Sequence, residues 1–179
     1  VQTVGKGVIM EPKIVPGQGI EVVDDGGHRS LCSRRSFETG ESILEVRGDV
    51  ITEASKYSIQ VSSDMHIEPS ALPTNLEFFD DYLWPFLNHG FEPNAMMQGR
   101  QLIAIRDIAE GEEITFDYNT NEWDMATPFE CMATGRKVRG YKHLSAEERA
   151  RIRDFTSPFI LQLADQAEDP TVLRREAAK

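Results

Sequence analysis

The chain has 179 residues, 40% of them apolar, which is enough for one compact domain with a real core and too few for two comfortable ones. Thirty acidic residues against 19 basic ones leave a net charge of −11, the opposite of a nucleic-acid binder's basic footprint and better suited to a cationic partner. No stretch approaches the roughly 20 apolar residues that span a bilayer, and the N-terminus lacks the charged-then-apolar pattern of a secretion signal, so the expected setting is intracellular, cytoplasmic by default with a nuclear one left open.

The first two-thirds of the chain read as short β-branched runs punctuated by glycine and proline. Strands are expected over 19–23, over 42–47 continuing through 50–52, over 58–62, over 102–105 and over 113–118. The pair Gly26-Gly27 and the single glycines Gly40, Gly48 and Gly111 fall where the chain must reverse. From Leu144 the character changes. Ser145 with Glu148 forms a capping-box signature for a helix carrying Ile152 and Phe155. Thr156-Ser157-Pro158 then marks a break, with Pro158 in the first turn of a second helix anchored by Phe159, Ile160 and Leu163. The helical pair either packs on its own domain or serves as a docking arm or homodimer contact, and the tail after Asp169 is expected to fray. The fold class is therefore mainly β with C-terminal helices, divided into a main unit over 1–144 and a helical extension over 145–179.

The two cysteines, Cys32 and Cys131, are too few for a disulfide framework or a four-cysteine zinc site. His28, His66, His89 and His143 show no close metal-ligand spacing, so no metal site is expected.

The chemistry-bearing residues lie in two segments. Trp84-Pro85-Phe86-Leu87-Asn88-His89-Gly90-Phe91-Glu92-Pro93-Asn94 delivers adjacent amide and imidazole groups into a proline-bounded turn, where the pair can read several polar edges of a ligand. Gly111-Glu112-Glu113-Ile114-Thr115-Phe116-Asp117-Tyr118 is a glycine turn leading into a strand that ends on a tyrosine. Together they resemble the two signature motifs of the SET-domain lysine methyltransferases. Upstream, Pro16-Gly17-Gln18-Gly19-Ile20 is similar to that family's glycine-rich cofactor loop, and Phe37-Glu38-Thr39-Gly40-Glu41-Ser42-Ile43 to its next strand-entry motif. The resemblance runs over residues 16–144 with all four motifs in order.

The resemblance implies a SET-domain fold of small β-sheets around a knot-like crossing, with the Asn88-His89 segment near the chain that follows Tyr118. It implies S-adenosylmethionine as cofactor, contacted by Gly17, Gln18, Gly19, Asn88, His89, Tyr118 and Phe129. Tyr118 would be the active-site tyrosine, with Phe116 and Tyr57 as further channel residues. Phe116 stands where the family places phenylalanine or tyrosine to control how many methyls are added, and a phenylalanine there leaves room for more than one. A lysine amine is protonated at pH 7, so its free base costs about 4 to 5 kcal/mol unless the site lowers its pKa of about 10.4. A narrow apolar channel beside a sulfonium does this by disfavouring the ammonium.

The chain also departs from the family pattern. Gly90 and Phe91 replace the usual serine and cysteine of the Asn-His motif. In the segment that resembles the post-SET region, Met132 and Ala133 stand where a second cysteine belongs, so Phe129 and the strip from Tyr141 to Leu144 are expected to close the cofactor site by apolar packing. Asp64, Glu68, Glu77, Asp80 and Asp81 form either an acidic rim that attracts a basic substrate or an ordinary solvated loop. Three functions remain in view: methylation of a lysine in a protein substrate, methylation of a small free amine, and a non-catalytic SET-like interaction module.

Overall fold

A computed structural model describes residues 19–70 and 83–168. Gly17 and Gln18 of the expected cofactor loop, the acids Glu77, Asp80 and Asp81, and the tail beyond Glu168 lie outside the described residues. The architecture is a set of small sheets followed by two helices. Strand β1 (Ile20–Asp25) and β2 (His28–Ser33) form an antiparallel hairpin with Ile20 opposite Ser33 and Asp25 opposite His28. Its two-residue turn is Gly26-Gly27, both at positive φ (64° and 98°), the conformation that matches strand twist and that a side chain disfavours.

A three-stranded antiparallel sheet orders β3 (Ser42–Glu45), β9 (Gln101–Ala104) and β8 (Ala95–Gln98). A second orders β4 (Asp49–Ile51), β6 (His66–Glu68) and β5 (Ile59–Gln60). Two short pairs complete the β part. β7 (Asn88–His89) runs parallel to β10 (Thr115–Phe116), and β11 (Phe129–Glu130) pairs antiparallel with β12 (Lys137–Val138). The expected strand over 113–118 is thus reduced to two residues. Asp117 accepts the Asn119 amide through its side chain and turns the chain into a 3₁₀ turn over Tyr118–Thr120.

One core cluster draws a buried apolar face from each of the larger sheets, including Ile20, Leu31, Val46, Ile67, Leu102 and Ile114, all fully enclosed. Trp84 belongs to it, its ring buried and its Nε1 donating to the Arg47 carbonyl at 2.9 Å. A second cluster forms around α1 (Ala146–Ile152) and α2 (Pro158–Glu168), where Ile152, Ile160 and Ala164 pack with Tyr141, Trp123 and Leu144. Helix α1 starts on the reciprocal Ser145–Glu148 capping box, as its sequence demands. The helices are also sewn to the β part by Ser157, whose amide donates to the Thr120 carbonyl and whose hydroxyl reaches Asn121 Oδ1 and the Met97 carbonyl. Ile152, Ile160 and Ala164 of the helical pair are thus buried against their own chain.

Candidate active site

The two motif segments meet side by side. Thr115 lies opposite Asn88 and Phe116 opposite His89, and the Gly90 amide donates to the Phe116 carbonyl at 3.1 Å. So few rungs need help, which buried Asn94 supplies: its amide nitrogen donates to the Glu113 carbonyl at 2.7 Å while its oxygen accepts from the Thr115 amide at 2.9 Å. At Gly90, a Cβ would come within 2.8 Å of Thr115 Oγ1, so the packing of the two segments leaves no space for a side chain here.

His89 is held as a neutral imidazole of defined tautomer. Its Nδ1 accepts the Tyr118 backbone N–H at 3.2 Å, so the ring proton sits on Nε2. Burial pushes its pKa down to about 4, and the positive charge of Arg136 adds to this. Rings of Phe91 (centroid 4.3 Å), Tyr118 (5.3 Å) and Phe129 (5.9 Å) meet it edge-on, and Nε2 is buried with no hydrogen-bond partner among the described residues. Asn88 donates through Nδ2 to the Arg29 carbonyl and to Glu113 Oε1, while its Oδ1 accepts nothing from the described residues.

Tyr118, Phe116 and Tyr57 line one cavity of about 170 Å³, together with Trp84, Leu87 and Glu122. Phe116 is buried against Tyr118 with ring centroids 4.8 Å apart. The Tyr118 hydroxyl donates to the Leu87 carbonyl at 2.5 Å, and its burial, with the acids Glu122 and Glu113 nearby, raises its pKa so that it stays a phenol. Tyr57 stands at the mouth, 46% exposed in the turn before β5, with the Lys56 ammonium 5.1 Å above its ring.

Glu122 was invisible to motif reading. It is a buried carboxyl on the cavity wall whose Oε1 accepts from the Gln60 amide at 2.8 Å and whose Oε2 lies 4.0 Å from Nε2 of buried His66. Burial pushes its pKa up to about 8, the Gln60 hydrogen bond pulling only partly the other way, and burial lowers that of His66. Both shifts work against an ion pair, since burial favours the neutral carboxyl and the neutral imidazole. The one sequence cue was an acid placed four residues after Tyr118, where the Glu122 amide returns to the Tyr118 carbonyl at 2.9 Å.

The outer lip is shared between the site and the helices. Phe129 does stand beside His89 and Tyr118, 37% exposed. Of the Tyr141–Leu144 strip, Tyr141 stacks on Trp123 at 6.3 Å and is buried in the second core cluster, while Leu144 packs against that cluster and also lines a cavity with Gly90, Phe91 and Arg136 beside His89. The buried Tyr141 ring is thus committed to the helices. Gly19 is described at the start of β1, at φ +68°, with its carbonyl taken by the Arg34 amide.

Comparison with known proteins agrees with this geometry. The family described as SET domain matches residues 28–119. The chain is 26% identical over 156 residues to a variant-silencing SET domain-containing protein of Plasmodium falciparum, covering 72% of this chain and 6% of that one. It is 35% identical over 116 residues to a histone-lysine N-methyltransferase, H3 lysine-36 specific, of Eremothecium gossypii, covering 55% of this chain and 17% of that one. A similar enzyme name is carried by a Candida albicans relative, 32% identical over 108 residues, covering 52% of this chain and 13% of that one. The chain therefore spans less than a fifth of the length of each of these relatives. Among solved structures, KRYPTONITE in complex with mCHG DNA and SAH superposes with a TM-score of 0.50 at 18% identity, covering 67% of this chain and 28% of that one.

Proposed function

The chain belongs to the SET-domain family, and from that premise we propose that it is an S-adenosylmethionine-dependent N-methyltransferase acting on lysine side chains of a protein substrate. The observation that carries this reading is the meeting of the Asn88–His89 strand with β10, which sets Tyr118 and Phe116 on the wall of one narrow cavity. Relatives named as histone-lysine N-methyltransferases favour a protein lysine over a small amine.

The residues present fit the cofactor. His89 carries an orphaned buried N–H, Asn88 has an uncommitted carbonyl oxygen toward the described residues, and Phe129 offers an exposed aromatic face beside them. Bound there, the cofactor supplies a methyl already activated by its sulfonium, so the protein's work is alignment. Tyr118, tied to the Leu87 carbonyl, fixes the cavity wall against which an amine nitrogen would be oriented. Phe116 has no hydroxyl to tether that nitrogen, which leaves space for more than one methyl. Apolar walls from Trp84, Leu87 and Phe116 exclude water and disfavour the ammonium form of the substrate.

Two measurements test the reading. Calorimetric titration with S-adenosylmethionine and S-adenosylhomocysteine is expected to give micromolar binding, and methyl-labelled cofactor is expected to mark lysines of recombinant histone H3. Binding of neither nucleoside would overturn it; labelling of free lysine or simple amines in preference to protein would replace the substrate class.

A further inference from the structure

The Glu122 carboxyl is the acidic side chain of the cavity interior. Every transfer of a methyl to a lysine ammonium sheds one proton: the N–C bond forms, the C–S bond breaks with its electron pair left on sulfur, and the charge carried by the sulfonium ends on the methylated ammonium. The proton lost from the incoming ammonium needs a destination within a cavity whose walls are apolar at Trp84, Leu87 and Phe116 and polar at Ser55, Ser58 and Glu122. Tyr118 is a poor one, because its phenol is neutral, already donates to the Leu87 carbonyl, and would have to receive the proton on its oxygen.

Glu122 has the required placement. It lines the same cavity as Tyr118 and Phe116, one oxygen is anchored by the Gln60 amide, and the other faces His66, whose Nδ1 is buried without a partner among the described residues. Purely structural use of that position would be met by a glutamine. A buried acid held by a single hydrogen bond, beside a buried imidazole whose Nδ1 has no partner among the described residues, is costly to keep, and such groups gather where protons move. Resting on the methyltransferase reading above, we propose that Glu122 is the proton acceptor for the substrate amine, and that His66 is the group through which the proton leaves.

Burial that raises the carboxyl's pKa to about 8 makes it a stronger base when ionised, which suits an acid–base group. The groups facing it are His66 from β6, the neutral Gln60 from β5, Lys56 and Tyr57 at the cavity mouth, and Tyr118 on its own segment. Only its ionised form accepts a proton, so turnover by the wild type should rise with pH through about 8.

The experiment uses the full chain, methyl-labelled S-adenosylmethionine and recombinant histone H3, comparing wild type with Glu122→Gln from pH 6.5 to 10. The variant preserves an oxygen for the Gln60 amide, and calorimetry with S-adenosylhomocysteine establishes that its site is intact. Turnover by Glu122→Gln is expected to fall on the order of a hundredfold near pH 7.5 and the deficit to close toward pH 10, where bulk solvent supplies the free amine. A readout independent of activity is melting temperature: the wild type should lose stability relative to Glu122→Gln as pH rises from about 5 to about 8. This follows because the folded carboxyl keeps its proton where the unfolded one, with an ordinary value of 4.5, has lost it. Should Glu122→Gln fail to fold, His66→Asn leaves the acceptor in place, and a several-fold loss near pH 7.5 that vanishes by pH 10 is expected. Equal turnover and parallel pH profiles for wild type and variant overturn the proposal while leaving the methyltransferase reading standing. A wild type that methylates nothing and binds no cofactor overturns both.

Discussion

Tyr118 has its hydroxyl committed to the Leu87 carbonyl, its backbone N–H to His89 and its ring to Phe116 and Phe129, so four residues are tied together through one. Removing the hydroxyl alone separates packing from orientation. Tyr118→Phe should retain S-adenosylhomocysteine affinity within a few-fold, lose about 1 kcal/mol of stability from the freed carbonyl, and lower kcat by about tenfold or more. Undiminished kcat would reduce Tyr118 to a packing residue. At this scale the sequence was legible where chemistry sits in contiguous motifs: Asn88, His89, Phe116 and Tyr118 all come together. It was opaque where the partnership crosses the fold, since nothing in the spacing of His66 and Glu122 announces that β6 and the segment after Tyr118 enclose them both. Asn94 stood in plain view at the end of its motif, but that its amide bridges two strands needs the partner strand to be seen.

Helix α1 is the element whose stability its own sequence most directly specifies. Ser145 accepts the Glu148 amide while the Glu148 carboxylate accepts the Ser145 amide, satisfying two donors that a helix start otherwise leaves open. Ser145→Ala should cost about 1 kcal/mol, visible as a lower urea midpoint with an unchanged slope, and an unchanged midpoint would mean that the tertiary contacts of the second cluster alone hold the helix. The capping box and the Pro158 start were both readable because their cause is local. The strands were less so. β2 opens on His28-Arg29-Ser30 and β7 and β11 have two residues each, too short to carry alternation, so their partners define them. The same reason shrinks the expected strand over 113–118 to β10: Asp117 prefers to cap the following turn.

For the whole molecule the governing quantity is the net charge of −11. A cationic protein substrate approaching such a surface is drawn by a field that salt screens over about 10 Å at 0.1 M and about 3 Å at 1 M. If the charge steers the substrate, KM for histone H3 should climb steeply with added salt while kcat and S-adenosylhomocysteine affinity change little; a salt-independent KM would assign the acids to solubility alone. Composition foretells the sign of this interaction, whereas where the charge concentrates among the described residues depends on the placement of acids such as Asp64 and Glu68.

The parallel pairing of β7 with β10 carries a kinetic meaning as well. These strands are separated along the chain by the β8–β9 hairpin, whose own register, Ala95 opposite Ala104 through Gln98 opposite Gln101, can form through local contacts alone. Once that hairpin closes, it shortens the effective loop that the two motif strands must bridge, and Asn94 at its edge is already in place to latch them. The order expected from contact separation is hairpin first and motif pairing second, so that a nascent chain acquires this piece of secondary structure before it acquires a place for chemistry.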